Sequence, residues 1–193
     1  MLSVGGLFVA LPEPLVPGPN WLLLAIIFGL SVPAMITHRI GRHTIDRVLG
    51  YLISSVVTLA LIWSLGELIA GLPDKRESAV QLLRSALALW VSNILVFAAW
   101  YWRLDAGGSH ERSRRGRHVE GAFLFPQMNM PGQSRVWMPG FVDYLHLAFN
   151  TSTAFSPTDV APLTRWAKML MMVQSIISLG TIVILAGRAV NIL

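Results

Sequence analysis

The run VLGYLISSVVTLALIWSLGELIAGL (48–72) holds 25 residues and one charge, Glu67. About 20 residues at ~1.5 Å rise cross the hydrocarbon core of a bilayer, so this stretch is long enough to span one as a helix. Two more pass the same test: about Ala79–Trp102, which ends in the aromatic cluster WYW, and about Ala167–Ala189. A fourth, about Trp21–Thr37, is shorter and carries Pro33. The predicted fold class is an all-α integral membrane protein with about four transmembrane helices. Composition agrees. Of 193 residues 54% are hydrophobic and 13% charged, about half the ~25% charged content of a soluble domain. That is too little charge to coat a water-facing surface.

Lysine and arginine total 15 against 10 acidic residues, a net charge of +5. The arginines collect in loops between apolar runs, the bias of cytoplasmic loops in membrane proteins. No interleaving of basic and aromatic residues points to nucleic acid, and none is expected as a partner. Cysteine is absent, which excludes disulfides, thiolate metal sites and cysteine nucleophiles. Residues 1–20 are proline-rich, with no basic region ahead of an apolar one, so they read as an extra-membrane arm or interfacial segment rather than a cleaved signal peptide.

Loop charge sets orientation. HRIGRHTIDR (38–47) holds three arginines, RLDAGGSHERSRRGRH (103–118) holds five, and GLPDKRE (71–77) is balanced. If the second and third spans form a hairpin, both arginine-rich loops share one side, predicted cytoplasmic, and the balanced turn and N-terminus face outward. The organisation is then an arm over 1–20, three spans over 21–102, a connecting loop over 103–140 that is arginine-rich and mobile in its first half and proline-containing in its second, and a final segment over 141–193. There is no internal repeat and no nucleotide-binding glycine fingerprint.

The final segment is the informative one. PGFVDYLHLAFNTSTAFSPTD (139–159) opens with Pro139, suited to a helix start. Apolar residues at helical spacing follow, such as Phe141, Leu145 and Ala148. The apolar part covers about ten residues, too few to cross. Hydroxyl residues and Pro157 come next, and then the last span. Irregular backbone at membrane depth is tolerated only where protein or a water-filled space covers it. The pattern therefore predicts a short re-entrant helix followed by a polar non-helical stretch.

A short helix, a hydroxyl-rich stretch, an aspartate, a proline, a cationic turn and a full helix together resemble the pore loop and inner helix of tetrameric potassium-channel-like cation channels, whose filter reads TVGYGD. Thr151, Ser152 and Thr153 stand where the filter threonines would be. Ala154, Phe155 and Ser156 replace Gly-Tyr-Gly, and Pro157 and Thr158 lengthen the spacing. Asp159, Pro162 and Arg165 echo the aspartate, proline and arginine that follow such filters. Filter glycines let carbonyls point inward through unusual backbone angles, and Ala154 and Ser156 do not offer that freedom. A hydroxyl-lined or wider constriction is the form these residues permit. From about residue 46 onward the chain is also similar to a family of small bacterial multi-pass membrane proteins of unknown function, through FLFP, FVDYLHLAF and FSPTDV. Together the resemblances imply a homotetramer in the bacterial inner membrane, in contact with the lipid bilayer and conducting monovalent cations, with Asp159 repeated as a ring at the mouth. Since the loop charge puts the entrance on the cytoplasmic side, the loop would be inverted, as in glutamate-receptor-type pores.

Other polar residues have two readings each. Gln174, Ser178, Thr181 and Leu185 share one face of the last helix, as an inner-helix lining or as helix-packing contacts. Glu67 and Arg84 sit at similar depth across a hairpin and read as an ion pair; Ser92 and Asn93 read as interhelical hydrogen-bonding groups. Asp159 is equally suited to cap a helix, since SPTDVAPL and APLTRWAK both look like helix starts. Asp143 and His146 fall short of the three or four ligands a metal needs, and His38, His43, His110 and His118 lie in loops, so no cofactor is expected. Without a nucleophile elbow or paired carboxylates on one face, no enzymatic activity is expected. SRRGR (113–117) reads as a topogenic cluster or a contact for anionic lipid head groups.

Two functions lead, ahead of a small-molecule transporter, against which the lack of an internal repeat argues. One is a pore-loop cation channel with an atypical glycine-free filter. The other is a non-conducting membrane scaffold or partner subunit, in which TSTAFSPTD is a packed turn and its hydroxyls are satisfied within one chain.

Overall fold

The computed structural model describes residues 2–40, 43–71, 78–115, 121–130, 137–153 and 159–190. The chain is mostly helical: α1 (Leu2–Val9), α2 (Leu22–Arg39), α3 (His43–Ala70), α4 (Ala79–Leu104), α5 (Ser109–Arg115), α6 (Phe141–Thr153) and α7 (Arg165–Val190). Three helices are long and apolar enough to cross a membrane, over Thr44–Ala70, Val80–Gly107 and Arg165–Gly187. They correspond to the three long apolar runs and extend beyond them, because a helix continues past the hydrocarbon region into its polar flanks. The fourth expected span, α2, has 18 residues and an apolar part, Leu22–Thr37, that is shorter than those three. Pro33 lies inside it, and the Thr37 hydroxyl donates back to the Pro33 carbonyl at 2.9 Å, a bond within the helix itself.

The chain divides into two compact units, residues 1–96 with 176–193, and residues 97–175. In the first, the N-terminal arm contains an apolar helix. Val4 and Phe8 of α1 are fully buried, and a Cβ on Gly5 would stand 2.8 Å from Leu24 Cδ1 and 3.4 Å from Leu24 Cα on α2, so glycine lets α1 approach closely. At the start of α4, the Ser78 backbone N–H donates to Gln81 Oε1 at 3.1 Å and the Gln81 N–H to Ser78 Oγ at 3.3 Å. This reciprocal capping box explains why the helix begins at Ala79. Among the described residues no ion pair joins Glu67 and Arg84; the Arg84 side chain is exposed instead.

In the second unit residues 103–115, read from the sequence as part of a mobile loop, form a helix end, a turn and a short helix. After α4 the chain turns through Asp105–Gly107, with positive φ at Ala106, Gly107 and Gly108, and continues as α5. Phe123–Leu124 (β1) then pairs antiparallel with Ala161–Pro162 (β2). The bend at Gly108 needs glycine twice over: its φ is 93°, and a Cβ there would lie 3.0 Å from the Arg103 carbonyl oxygen.

Candidate functional site

The site lies in the second unit, around α6. Pro139 and Gly140 precede its first turn, and Asp143 Oδ2 accepts the Gly140 backbone N–H at 2.7 Å, so the carboxylate satisfies a donor the helix itself leaves open. Four residues on one face are buried, Tyr144, Leu147, Ala148 and Ser152, the i, i+3, i+4, i+8 pattern of a packed helix. The helix continues through Thr153, whereas the sequence reading placed Thr151, Ser152 and Thr153 in irregular backbone. Two of these hydroxyls bond to their own helix, Thr151 Oγ1 to the Leu147 carbonyl at 2.8 Å and Thr153 Oγ1 to the Asn150 carbonyl at 3.0 Å. Back-bonded in this way, they do not compete with the helix for its N–H groups.

Ser152 faces α7. Gln174 Nε2 donates to Ser152 Oγ and to the Ala148 carbonyl, both at 2.7 Å, while Gln174 Oε1 accepts the Tyr101 hydroxyl of α4. One amide thus joins three helices. The Ser175 hydroxyl adds a long contact of 3.5 Å to the Thr151 carbonyl, so side chains of α7 serve carbonyls in the last two turns of α6. Gln174 is nine residues beyond Arg165, about 14 Å along α7 at the helical rise.

A second polar centre holds the opposite end. Asp105 is fully buried; its Oδ1 accepts the Ala122 backbone N–H and its Oδ2 the Tyr144 hydroxyl, each at 2.5 Å. Arg112, buried as well, donates to the carbonyls of Trp102 and Asp105 at 3.0 and 2.6 Å, with its guanidinium carbon 5.1 Å from the Tyr144 ring centroid. Phe123 packs among Tyr101, Tyr144 and Trp166, with ring centroids 5.1, 6.4 and 6.0 Å away.

The path of α6 follows from these contacts. Its first residue, Phe141, meets Trp102 near the end of α4 at 5.7 Å, and its last two turns meet Gln174 and Ser175. By Ala161–Pro162 the chain is back beside Phe123–Leu124, where the Leu163 N–H donates to the Ala122 carbonyl at 2.7 Å. Thr164 then caps α7, its hydroxyl accepting the Ala167 N–H at 3.4 Å. The capping role considered for Asp159 therefore belongs to Thr164, and Asp159 is exposed in a bend before β2.

Of the remaining candidates, Ala154, Phe155, Ser156 and Thr158 lie outside the described residues. Ser178 and Thr181, in the first unit, are buried, and Thr181 Oγ1 donates to the Ser178 carbonyl at 2.7 Å. Asp143 and His146 have separate partners, Gly140 and Asn150; among the described residues no group of three or more potential ligands is positioned to hold a metal.

Sequence reasoning passed over Asp105, Arg112, Tyr101 and Tyr144. A signal was present for two of them: Asp105 follows the apolar run by three residues, and Tyr101 lies inside its aromatic end. The partners of the Asp105 and Tyr101 side chains stand 17 to 73 residues away, beyond the reach of any local pattern. Compared with protein-family models, with curated proteins and with solved structures, the chain finds no match.

Proposed function

We propose that this chain is a multi-pass membrane protein built around a re-entrant helix, and that it acts as a non-conducting scaffold or partner subunit of a membrane complex. The contacts of α6 support the re-entrant path. The helix begins near the end of α4, reaches about 14 Å along α7, and the chain returns to β1 beside the same end.

The observation that carries the non-conducting reading is the closure of Gln174 within one protomer. A group that lines an axis shared by several chains has to be accessible in the single chain. Gln174 and Thr181 are 0% exposed and Ser178 1%. A helix attracts a cation through the negative end of its dipole, where the last carbonyls are open. Here the Asn150 carbonyl accepts the Thr153 hydroxyl at 3.0 Å and the Thr151 carbonyl the Ser175 hydroxyl of α7 at 3.5 Å. The face that α7 leaves exposed in this unit, Met169, Met172 and Val173, is apolar and suits lipid or a partner helix.

A second reading, the homotetrameric cation channel, draws on the exposed carboxylate of Asp159. Four copies around an axis would form an acidic ring. One experiment separates the two: oligomeric state by native mass spectrometry, together with potassium and sodium flux from liposomes reconstituted with purified protein. The proposal expects flux no greater than from protein-free liposomes. A tetramer whose flux is abolished by Asp159→Asn would overturn it and establish the channel.

A further inference from the structure

We infer, on the strength of the multi-pass reading above, that α1 dips into one leaflet of the bilayer beside α2, its outer face against lipid acyl chains, instead of forming an extra-membrane arm. Leu2–Val9 carries no charged residue and holds Gly5 and Gly6 near its middle. A helix of eight residues with two central glycines is a poor one in water. In hydrocarbon no water pairs with an open backbone N–H or C=O, so the same segment is held helical there. At ~1.5 Å per residue it measures about 12 Å, too short to cross a ~30 Å core and long enough to approach its middle.

The depth of α1 follows from α2 and α3. These helices are joined through residues 40–42 and pack against each other, so they run as a hairpin. Trp21, at the head of α2, is 64% exposed and Trp63 of α3 54%. They stand 20 and 22 residues from position 41, about 30 and 33 Å along the two helices. Two exposed tryptophans at one height, a hydrocarbon thickness away from the arginine-rich stretch 38–47, mark the far interface of the bilayer. Between these levels the exposed residues Phe28, Val32, Met35 and Ile36 of α2 are apolar. The end of α1 is tied to the tryptophan level, because Asn20 Nδ2 donates to the Leu11 carbonyl at 3.3 Å. Glu13, Pro17 and Pro19 in the intervening turn are exposed. From there α1 runs inward. Gly5 sits against Leu24 and Ile27, which follow Trp21 by three and six residues and lie about 5–9 Å deeper. Counted along α1 itself, Gly5 is four residues from Val9, about 6 Å, so both routes give the same depth. Val4 and Phe8 are buried, while Ser3, Gly6 and Val9 are exposed, one helical turn apart on one side. At that depth the exposed side meets acyl chains.

The chain has no cysteine, so single-cysteine variants of the full-length protein in liposomes each carry one nitroxide label. Its relaxation by oxygen, which concentrates among acyl chains, is compared with relaxation by a water-soluble nickel chelate. A Cβ at Gly6 meets nothing within 4 Å, so Gly6→Cys accepts the label without a clash. Gly6→Cys and Ser3→Cys are expected to respond more to oxygen, and Glu13→Cys more to nickel. The oxygen-to-nickel ratio should be higher at Ser3 than at Gly6, since Ser3 lies about 4.5 Å deeper. A nickel effect equal to or above that of oxygen at either Ser3 or Gly6 overturns the dip of α1. A ratio at Ser3 no higher than at Gly6 also overturns it, because α1 would then lie flat in the head-group layer. Leu52→Cys, on the exposed side of α3, reports on the multi-pass reading separately. Nickel dominance at Leu52 would sink that reading, whereas oxygen dominance there with nickel dominance at Gly6 would sink the placement of α1 alone.

Discussion

In the unit of residues 97–175 the buried side chains of Asp105 and Gln174 reach across the chain, while in the unit of residues 1–96 and 176–193 those of Ser64 and Thr181 turn back on their own helices. Asp105 joins the end of α4 to β1 and α6, and Gln174 joins α7 to α4 and α6. In the other unit Ser64 Oγ donates to the Ala60 carbonyl at 2.9 Å and Thr58 Oγ1 to the Ser54 carbonyl at 2.7 Å, both within α3. The buried hydroxyls of Ser54 and Ser92 have no hydrogen-bond partner among the described residues. Helix packing there uses small residues instead: a Cβ on Gly180 would stand 3.2 Å from Leu65 Cδ2, the close approach such residues allow between membrane helices. Apolar and small-residue packing is tolerant of small shifts, whereas a hydrogen bond weakens steeply with misalignment. The short helix α6 has few turns to pack and is held by directional bonds; the long helices are held by area.

That contrast breaks first at Asp105. Asp105→Ala strands the Tyr144 hydroxyl and the Ala122 N–H in the interior, and hydrogen bonds to a charged group contribute about 1.5–3 kcal/mol each. A loss of about 3 kcal/mol is expected, read as a shift in the midpoint of unfolding followed by circular dichroism in detergent. A loss under about 0.5 kcal/mol, the scale of ordinary surface substitutions, would mean that the carboxylate is not what holds α6. A smaller loss is expected at Gln174. Gln174→Leu keeps the volume but leaves the Tyr101 hydroxyl and Ser152 to find other partners, about 2 kcal/mol for neutral bonds. In a Tyr101→Phe background that cost should shrink, because the two share one bond; strict additivity in the double-mutant cycle would rule the shared bond out. At the small end, Ser92→Ala in the other unit removes a hydroxyl that makes no bond to a described residue. It should change stability by less than about 0.5 kcal/mol or raise it slightly, since an unpaired buried hydroxyl costs about 1–3 kcal/mol by mutational scales, offset by the lost packing of one atom. A large loss there would show that Ser92 is bonded after all.

How far the sequence carried the reading depends on the range of the force involved. The apolar run 48–72 announced a membrane-length helix because burial in lipid is a property of consecutive residues. The start of α6 after Pro139 was legible for the same reason, and so was Thr164 in APLTRWAK as a helix cap, since caps act over three residues. The end of α6 was misjudged: hydroxyls were taken as breaking the helix, when those of Thr151 and Thr153 bond back to carbonyls one turn earlier. The stretch 103–115 was taken as mobile on its arginines and glycines, yet Arg112 is 4% exposed because its guanidinium finds two carbonyls and a ring that no neighbouring residue announces.

The amino-acid order alone determined a helical chain with three segments able to cross a bilayer, and the local starts of α4, α6 and α7. Those follow from hydropathy and capping, which act between residues a few positions apart. Tertiary structure alone decided that Asp105 meets Tyr144 and Ala122, and that Gln174 meets Tyr101, Ala148 and Ser152. Those pairings depend on which faces the helices turn to one another, and that is set by packing over the whole unit.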